Sequence, residues 1–564
     1  MRSKSFGLFL ILMCLAVSAV MAGGQKEQKT GTQVQPVTSM GTLPSDAVAP
    51  ADQVMYYPLM LENGTYLDFM KTIYNCIQGA ASYVEESLMG FDKDLKVIPL
   101  GATSWDISSD SLTWTFHLRH LKWSDGQPIT AGDYVYALQR AAQEGYDFGW
   151  YWSFAAGIKN WSKVEKGESP VGDLGIKAAD DYTLVITTDV PKPYLPGVLF
   201  WLFPVPQHAV KKYGDEYATK AETMVSSGPF MISEWVKGDH ITVVQNPYYD
   251  GLWKPYLTKI VLKYGTWDPQ IGFPAYQNNE IYRSDVNPGQ LALTQKNMPD
   301  QLHSWPMFRI FYLSFDTTKP PFNDGRVRQA FSHAINREEI TSTVLKGLTS
   351  QEYSLLMSGF PGYDPDQANK VQTYDVDMAR KLMADAGYPG GKGFPSLELW
   401  VRNENQLLPW EQPLAVYLQA HLQDVLGVNL VPRTIEVKTF TDALNNHTQN
   451  FFLLAYQFDY VDPSNFMDLF ITGGRHAWSD PNYDAMVRQA DPLTDATKRL
   501  NLYHSAEQLL LQQAPSAFIC QQQYSAVWKP FLKGPGVEPN DKGIASWGDM
   551  WTKYVMTHVY IAKH

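Results

Sequence analysis

Residues 112–141 read LTWTFHLRHLKWSDGQPITAGDYVYALQRA and combine three local patterns in one stretch. Apolar side chains alternate with polar ones from Leu112 to Leu118, which predicts a strand with one buried face. An Asp-Gly pair follows and predicts a turn. Thr130 then precedes a helical pattern, and Asp133 stands where a variant of the capping box needs an acidic side chain. A strand, a turn and a helix in direct succession indicate a mixed α/β fold.

The same mixture continues along the rest of the chain. YTLVITT (182–188) predicts a further strand, and ISEWVKGDHITVV (232–244) predicts a hairpin around its Lys-Gly-Asp turn. Asp324 and Asp375 each precede apolar residues at helical spacing, so each is expected to cap a helix. No repeat of about 20–50 residues is evident, which argues against a solenoid. These patterns favour an α/β protein of several lobes.

Length and charge limit the classes of function. The chain has 564 residues, 45% of them apolar, and a length of this kind predicts two or three domains. The net charge is −12, and it becomes −14 when Arg2 and Lys4 are removed with the N-terminal segment described next. Nucleic-acid binding requires a basic face, so nucleic acid is not an expected partner.

The N-terminus has the pattern of an export signal. Residues 1–22 carry two basic residues, an apolar run, and small side chains at Val20 and Ala22 that suit a signal-peptidase site. A transmembrane anchor is the alternative, but the apolar run is short for a span. Cys14 lies in the middle of that run, which gives no clear lipobox. We expect a periplasmic protein whose polar residues 23–50 form a flexible tether.

The sequence contains no recognisable motif of catalytic or metal-binding residues. There is no G-x-S-x-G, no H-E-x-x-H and no paired-cysteine motif, and the twelve histidines are scattered. We therefore expect no enzyme activity, no cofactor and no metal site. Cys76 and Cys520 remain after export, and a disulfide between them and two buried thiols are both open readings.

Five blocks of the sequence resemble the family 5 extracytoplasmic solute-binding proteins, the oligopeptide- and dipeptide-binding components of ABC importers. They occur in the order found in that family and together span about residues 85–480. The blocks are WTFHLRHLKWSDGQPITAGDYVYALQRA (114–141), SSGPFMISEWVKGDHITVVQNPYY (226–249), YLSFDTTKPPFNDGRVRQAFSHAINREEI (312–340), YDVDMARKLMADAGYPGGKGFP (374–395) and YQFDYVDPSNFMDLF (456–470).

The resemblance implies the α/β fold of the large periplasmic binding proteins, with two lobes joined by a hinge and an inserted third domain. By that likeness, the segments are the signal peptide 1–22, the tether 23–50, lobe I from 51–88, 201–304 and 529–564, the inserted domain 89–200, and lobe II 305–528.

The resemblance also implies a function. Such a protein, expected to be a monomer, binds a small-molecule ligand, an oligopeptide, between its closing lobes and delivers it to the permease subunits of an ABC transporter. An aspartate in the family's D-Y block holds the α-ammonium of the peptide, and that role carries over to Asp459. The alternative is that Asp459 caps a turn or pairs with a basic residue of the protein itself.

Other side chains of the ligand cleft are expected near Asp459 and in two further segments. For the aromatic ones the competing interpretation is an ordinary core position. The candidates are Tyr456, Gln457, Phe458 and Tyr460 around Asp459, Trp150, Tyr151 and Trp152 in the inserted domain, and Tyr312, with Phe311, at the start of the second lobe.

A basic group for the carboxylate of the peptide is missing from the expected place. The residues before the D-Y block, FFLLA (451–455), include no arginine, so either another residue holds the carboxylate or long peptides are not the ligand. An oligosaccharide-binding member of the family is therefore an alternative, since tryptophan and tyrosine stack well on sugar rings. Nickel or haem binding is a weaker option, and an exported hydrolase is an alternative from another class.

Overall fold

Strands and helices are mixed along the whole folded chain. The computed structural model describes residues 40–59, 66–71, 81–146, 148–403, 411–540 and 552–564. The strands are β1 (Val54–Leu59), β2 (Met89–Phe91), β3 (Val97–Pro99), β4 (Ala102–Ile107), β5 (Thr113–Leu118), β6 (Ile176–Asp180), β7 (Thr183–Thr187), β8 (Phe230–Val236), β9 (His240–Gln245), β10 (Lys259–Tyr264), β11 (Arg283–Asp285), β12 (Leu302–Phe315), β13 (Thr349–Gln351), β14 (Leu397–Arg402), β15 (Leu430–Ile435), β16 (Phe451–Gln457), β17 (Ser516–Trp528), β18 (Leu532–Lys533) and β19 (Tyr560–Ile561).

Helices connect most of these strands. The α-helices are Ala81–Val84, Ala131–Glu144, Trp161–Glu165, Leu195–Val198, Gln207–Tyr213, Pro269–Gln277, Pro288–Asn297, Gly325–His333, Arg337–Glu339, Pro365–Val371, Val376–Asp385, Glu411–Leu426, Val437–Asn445, Ser464–Met467, Pro481–Ala490, Ala496–Gln513 and Thr552–His558. Two π-helical turns, Tyr151–Ala155 and Ile340–Val344, and several short 3-10 turns complete the regular structure.

The largest sheet is seven-stranded and is organised around two long strands. Its order is β11-β17-β12-β16-β14-β15, and β13 pairs with β17 outside that order. β12 and β17 are antiparallel, and their register runs from Leu302 opposite Val527 to Ser314 opposite Ser516. β16 pairs with the other edge of β12. The residues that follow β16 are therefore positioned by the longest strand pair in the described part of the chain.

Two smaller sheets are built from other parts of the chain. One four-stranded sheet has the order β4-β5-β7-β6, and another has the order β1-β10-β9-β8. All strands of the first lie within the predicted inserted domain, and all strands of the second lie within the ranges predicted for lobe I. The predicted boundary between residues 304 and 305 falls inside β12, so the domain ranges as a whole stay a prediction.

The opening stretch folds as its pattern predicts. β5 buries Trp114, Phe116 and Leu118 on one face, and the Asp-Gly turn follows with Gly126 at a φ of 88°, a conformation that favours glycine. The next helix begins after Thr130. Thr130 and Asp133 form a capping box, in which the side chain of each accepts a hydrogen bond from the backbone N–H of the other. The predicted hairpin is formed by β8 and β9.

The two helices predicted from their capping aspartates are also present. Asp324 accepts a hydrogen bond from the backbone N–H of Arg326, at the start of Gly325–His333. Asp375 accepts one from the backbone N–H of Met378, at the start of Val376–Asp385. Each cap satisfies a backbone donor that the first helical turn leaves without an internal partner.

The end of the predicted tether differs from the structure. Gly41 donates its N–H to the carbonyl of Pro255 at 3.0 Å, and Ala47 forms an antiparallel bridge with Ala562. Residues 41–50 therefore lie against the folded domain because their backbone groups find partners there, which a composition argument cannot detect. Residues 1–39, which include the predicted signal peptide, lie outside the described residues.

The described residues also bear on the remaining sequence predictions. Cys520 is a free, buried thiol, whereas Cys76 lies outside the described residues. Within the described ranges, no helix combines the length and the apolar character needed to cross a membrane. In the same ranges, no group of three or more His, Cys, Asp or Glu side chains could hold a metal ion.

Gln53 gives a test of how the segment before β1 is held against β19. Its buried amide donates to the carbonyls of Val48 and Ile561 and accepts from the N–H of Ile561. Replacing Gln53 by Leu leaves these buried backbone groups without partners, so we expect the free energy of unfolding to fall by about 2–4 kcal/mol. Urea denaturation measures it. Gln270→Leu, at an exposed position of helix Pro269–Gln277, serves as the control, and equal stability of both variants would contradict the prediction.

Candidate functional site

Asp459 follows the end of β16 and receives hydrogen bonds only from neutral groups. The hydroxyl of Tyr456 donates to Oδ2 of Asp459 at 2.5 Å, and the side-chain amide of Asn465 donates to the same oxygen at 3.3 Å. The Asp459 N–H donates to the amide oxygen of Asn465 at 2.8 Å. Among the described residues, no Lys or Arg forms an ion pair with this carboxylate, and Oδ1 receives no hydrogen bond. One carboxylate oxygen therefore has no hydrogen-bond donor from the described part of the chain.

The electrostatic state of Asp459 reflects this incomplete set of partners. Burial raises the pKa of Asp459, and the hydrogen bonds from Tyr456 and Asn465, together with the charge of Arg475, oppose that rise. A carboxylate held in this way is stabilised when a cation reaches its remaining oxygen. The site is thus suited to an ammonium group.

The residues beside Asp459 divide into two groups. Tyr456 and Gln457 are half-buried, and the side-chain oxygen of Gln457 accepts a hydrogen bond from Arg309. Phe458 and Tyr460 are buried, the first packing on Phe308 with ring centres 5.5 Å apart. The structure therefore brings the predicted residues 456–460 together around Asp459. Only the half-buried ones present side-chain surface toward solvent.

The aromatic cluster at residues 148–152 lies next to the same region. Tyr151 is buried and meets Tyr460 edge to face, with ring centres 6.1 Å apart. Trp152 is buried against Trp161, whereas 47% of Trp150 is exposed. Tyr151 thus connects the cluster to the Asp459 segment, Trp152 occupies a core position, and Trp150 lies on the surface.

The two candidates on β12 point to opposite sides of the large sheet, as neighbouring strand residues must. Tyr312 packs in the same core as Tyr456 and Tyr460, and its hydroxyl is hydrogen-bonded to His476 at 3.2 Å. Phe311 packs in the second core, with other apolar residues of the sheet's opposite face. Both side chains are closed off from solvent in this structure.

A second polar contact joins residues 192–201 to the second half of the chain. Lys192 donates to Oδ2 of Asp491 at 2.7 Å, and the hydroxyl of Tyr194 donates to the other oxygen at 2.5 Å. The Tyr194 ring stacks on Tyr460, with centres 5.5 Å apart and planes 5° from parallel. The indole N–H of Trp201 donates to the backbone carbonyl of Asp459 at 3.1 Å. The segments that flank the site are therefore bound directly to each other.

Charged groups are concentrated behind this contact. Arg499 makes two hydrogen bonds to the carboxylate of Asp462, at 2.7 and 2.6 Å. Burial raises the pKa of Asp468 to about 8, and the nearby Asp491 adds to this rise, while Lys192 and Arg499 oppose it. Arg499 and Asp462 therefore compensate each other inside the protein, whereas the raised pKa of Asp468 favours its neutral form at neutral pH.

Sequence reasoning missed several residues of the site. Asn465 belongs to the quoted D-Y block, and its position six residues after Asp459 is the only signal that could have identified it. Lys192 and Asp491 are 299 residues apart, and nothing local marks them as partners. Arg475, whose guanidinium lies 5.6 Å from the centre of the Tyr456 ring, follows an unremarkable glycine turn.

Residues 96–478 match the family model described as bacterial extracellular solute-binding proteins, family 5 Middle. The chain belongs to this family. The match covers well over half of the sequence and confirms the family that the five sequence blocks predict.

Two curated proteins of Escherichia coli (strain K12) are similar over most of their length. The probable deoxycholate-binding periplasmic protein YgiS is 33% identical over 514 residues, which are 88% of this chain and 94% of that protein. The periplasmic oligopeptide-binding protein OppA is 29% identical over 500 residues, which are 85% of this chain and 87% of that protein.

A solved structure of the same family has the same fold. The Escherichia coli murein tripeptide binding protein MppA is 28% identical, with a TM-score of 0.74 over 91% of this chain and 98% of its own. This likeness, together with the sheets and helices described above, confirms the α/β fold of a large periplasmic binding protein.

The raised pKa of Asp459 predicts how ligand affinity depends on pH. The interaction requires an ionised carboxylate and a protonated amine, so affinity should be full between the pKa of Asp459 in the free protein and that of the ligand's α-amine. It should fall as the pH drops through the pKa of Asp459. Below that pKa we expect a loss of about tenfold per pH unit. Isothermal titration calorimetry with trialanine amide, whose α-amine is its only titrating group, measures this profile.

Asp459→Asn provides the control for that profile, because an amide does not titrate. The variant should bind more weakly at neutral pH and show no acidic slope. A slope that persists in the variant would assign the pH dependence to another group.

Breaking the Lys192–Asp491 pair should loosen the contact between the two segments. The side chains are 6% and 16% exposed, so Lys192→Met leaves a buried carboxylate without its cation. That loss costs about 3 kcal/mol, and opening the contact relieves it by returning Asp491 to water. Small-angle scattering of the unliganded variant should show a larger radius of gyration.

A second substitution separates charge from packing. Lys192→Met with Asp491→Leu removes both charges, so it should recover most of the compact state. An unchanged radius in the single variant would show that this pair does not hold the segments together.

Proposed function

We propose that this protein is an extracytoplasmic peptide-binding protein that delivers its ligand to an ABC permease for import. The single observation that carries the proposal is the Asp459 carboxylate, half-buried, bonded on one oxygen only, and without a basic partner among the described residues. The α-ammonium of a peptide is a cation of the size and donor number that the remaining oxygen can accept.

The relatives support the same choice of ligand. OppA is named as a periplasmic oligopeptide-binding protein and MppA as a murein tripeptide binding protein. The family model spans residues 96–478, a range that includes the segment around Asp459. The proposed ligand is therefore a peptide, with Tyr456 and Gln457 beside its amino terminus.

The mechanism requires binding and closure but no covalent chemistry. The ligand ammonium adds a favourable interaction that exists only when Asp459 is enclosed, which favours the closed arrangement. The contact of Tyr194 with Tyr460, and that of Lys192 with Asp491, hold the flanking segments together in that arrangement. We propose that the closed monomer acts in the periplasm, without catalysis, and is recognised there by the permease subunits.

A second candidate ligand is an amphipathic carboxylate of the bile-acid type. YgiS is named as a probable deoxycholate-binding protein, and 33% of its aligned residues are identical to this chain. The exposed aromatic rings of Trp150 and Phe154 offer apolar surface, and Arg475 offers a cation. A bile acid has no ammonium group to pair with Asp459, and for this reason we prefer the peptide as the ligand.

Native mass spectrometry of the protein purified without added ligand tests the proposal directly. A set of bound masses spaced by amino-acid residues is the expected result. Masses spaced by hexose units would replace the peptide by an oligosaccharide, and a single sterol-like mass would favour the second candidate. Conversion of the bound molecule during incubation would instead indicate a hydrolase.

The role of Asp459 can be tested with a matched pair of variants. Asp459→Asn should weaken binding of trialanine by about 2–5 kcal/mol, because the ammonium then loses its counter-charge. Asp442→Asn, at an exposed position of helix Val437–Asn445 where the carboxylate pairs with Lys438, should leave affinity unchanged. Equal affinities for both variants in calorimetry would remove Asp459 from the ligand site.

A further inference from the structure

Asn465 connects the backbone of Asp459 to the side chain of the same residue. The amide oxygen of Asn465 accepts a hydrogen bond from the Asp459 N–H at 2.8 Å, and its amide nitrogen donates to Oδ2 of Asp459 at 3.3 Å. A backbone N–H can only donate, so the oxygen of the Asn465 amide must face it, and the NH2 group must face the carboxylate. Asn465 therefore fixes the rotation of the Asp459 side chain relative to its own backbone.

Tyr456 holds the same carboxylate oxygen from a second side. Its hydroxyl donates to Oδ2 of Asp459 at 2.5 Å, and the amide nitrogen of Asn465 lies 3.4 Å from the oxygen of that hydroxyl. Because both donors meet Oδ2, they restrain the carboxylate without using Oδ1. The three side chains form a network in which Asn465 contacts both of the others.

The turn that carries Asn465 is itself held by a buried ion pair. Oδ1 of Asp462 accepts hydrogen bonds from the N–H and the hydroxyl of Ser464, at 3.0 and 2.7 Å. Both oxygens of Asp462 also accept from the guanidinium of Arg499. Asn465 is 4% exposed, and its N–H donates to the backbone carbonyl of Asp462 at 3.0 Å. Arg499, on helix Ala496–Gln513, thus fixes the place of Asn465 through Asp462.

An asparagine has the donors and the acceptor that this place requires. Its amide is planar, with an acceptor on one side for the Asp459 N–H and donors on the other for the carboxylate. Serine is too short to reach both groups, and leucine, of similar volume, would leave the N–H without a partner. An aspartate would offer the carboxylate no donor when ionised.

Replacement of Asn465 can be read from the titration of Asp459, because an amide does not titrate itself. Burial raises the pKa of Asp459, and Tyr456, Asn465 and Arg475 oppose that rise. Tyr151 also faces this carboxylate, which adds to the burial-driven rise in the pKa of Tyr151. A hydrogen bond to an ionised carboxylate favours the ionised form. Loss of the Asn465 donor should therefore raise the pKa of Asp459 further.

We propose that Asn465 is a positioning residue of the ligand site, which keeps the Asp459 carboxylate ionised and turned so that Oδ1 faces the ammonium of the ligand. The proposal rests on the proposed peptide-binding function and adds the group that prepares its anchor. Asn465 acts through Asp459. A carboxylate that is already oriented loses less freedom when the ligand binds, so more of the interaction appears as affinity.

The pH profile of peptide binding tests the proposal. Asn465→Leu removes the donor and the acceptor at similar volume. The fall in trialanine amide affinity at acidic pH should begin about one pH unit higher than in the parent, and affinity at neutral pH should fall about tenfold. Asn465→Ala, which leaves room for a water molecule, should shift the profile in the same direction and carries the test if Asn465→Leu does not fold. Isothermal titration calorimetry measures both quantities.

A double-mutant cycle separates positioning from a merely structural role. In an Asp459→Asn background, Asn465 has no carboxylate to orient. Asn465→Leu should then change the affinity by less than about twofold, because the two residues act as one unit. Equal losses of affinity in the two backgrounds would overturn the proposal.

Asn246→Leu is the matched control. Asn246 is a fully buried asparagine directly after β9, and its amide donates to the carbonyl of Gly228 at 3.0 Å and accepts from the N–H of Tyr248 at 3.1 Å. Its replacement should lower the unfolding temperature and leave the pH profile of binding as in the parent. An equal shift of the profile in Asn246→Leu and Asn465→Leu would attribute it to lost stability and overturn the proposal.

Titration of the free protein separates this proposal from the peptide-binding function. In isotope-labelled protein, the NMR signal of the Asp459 carboxyl carbon is the one that disappears in Asp459→Asn, and it should titrate at higher pH in Asn465→Leu than in the parent. That shift, with no peptide bound by the parent, would support the positioning role and reject the peptide. Peptide binding with an unshifted titration would overturn the role of Asn465 and leave the function standing. An unshifted titration without peptide binding would overturn both.

Discussion

The antiparallel pairing of β12 with β17 is the constraint on which the rest of the second half depends. These strands of 14 and 13 residues form the centre of the seven-stranded sheet, and β16 pairs along the free edge of β12. Since strand pairing fixes register, β16 delivers Tyr456 and Asp459 to one place beside the sheet. Each face of β12 packs into its own apolar core. A shift of the strand register by one residue would exchange the two faces, so this packing disfavours it.

Charge compensation is the second constraint on the side chains around Asp459. A buried charge is expensive unless it is paired, and Lys192, Arg499 and their aspartates satisfy that rule within the protein. Asp459 and Arg475 do not satisfy it among the described residues. Under the proposed function, the ammonium of a peptide supplies the charge that Asp459 lacks, so the same interaction would favour both binding and closure.

Local sequence patterns predict a strand or a helix well where the interactions that form it join residues close together in the sequence. The strand at residues 113–118, the capping box of Thr130 with Asp133, and the capped helices after Asp324 and Asp375 each depend on neighbours within a few residues. The end of the predicted tether differs because its partners, such as Ala562, lie at the other end of the chain. The residues of the site divide in the same way: Asp459 lies in a recognisable block, whereas Arg475 lies in none.

By itself, the sequence determined the family, the mixed α/β fold and the place of Asp459, because ordered blocks and local periodicity are properties of the chain as written. Only the tertiary structure decided which charges remain without partners. Lys192 meets Asp491 across 299 residues, and Arg475 reaches Tyr456 through a turn that the anchored His476 holds in position. Pairing at such separations follows from the packing of sheets and loops, which no short stretch of sequence encodes.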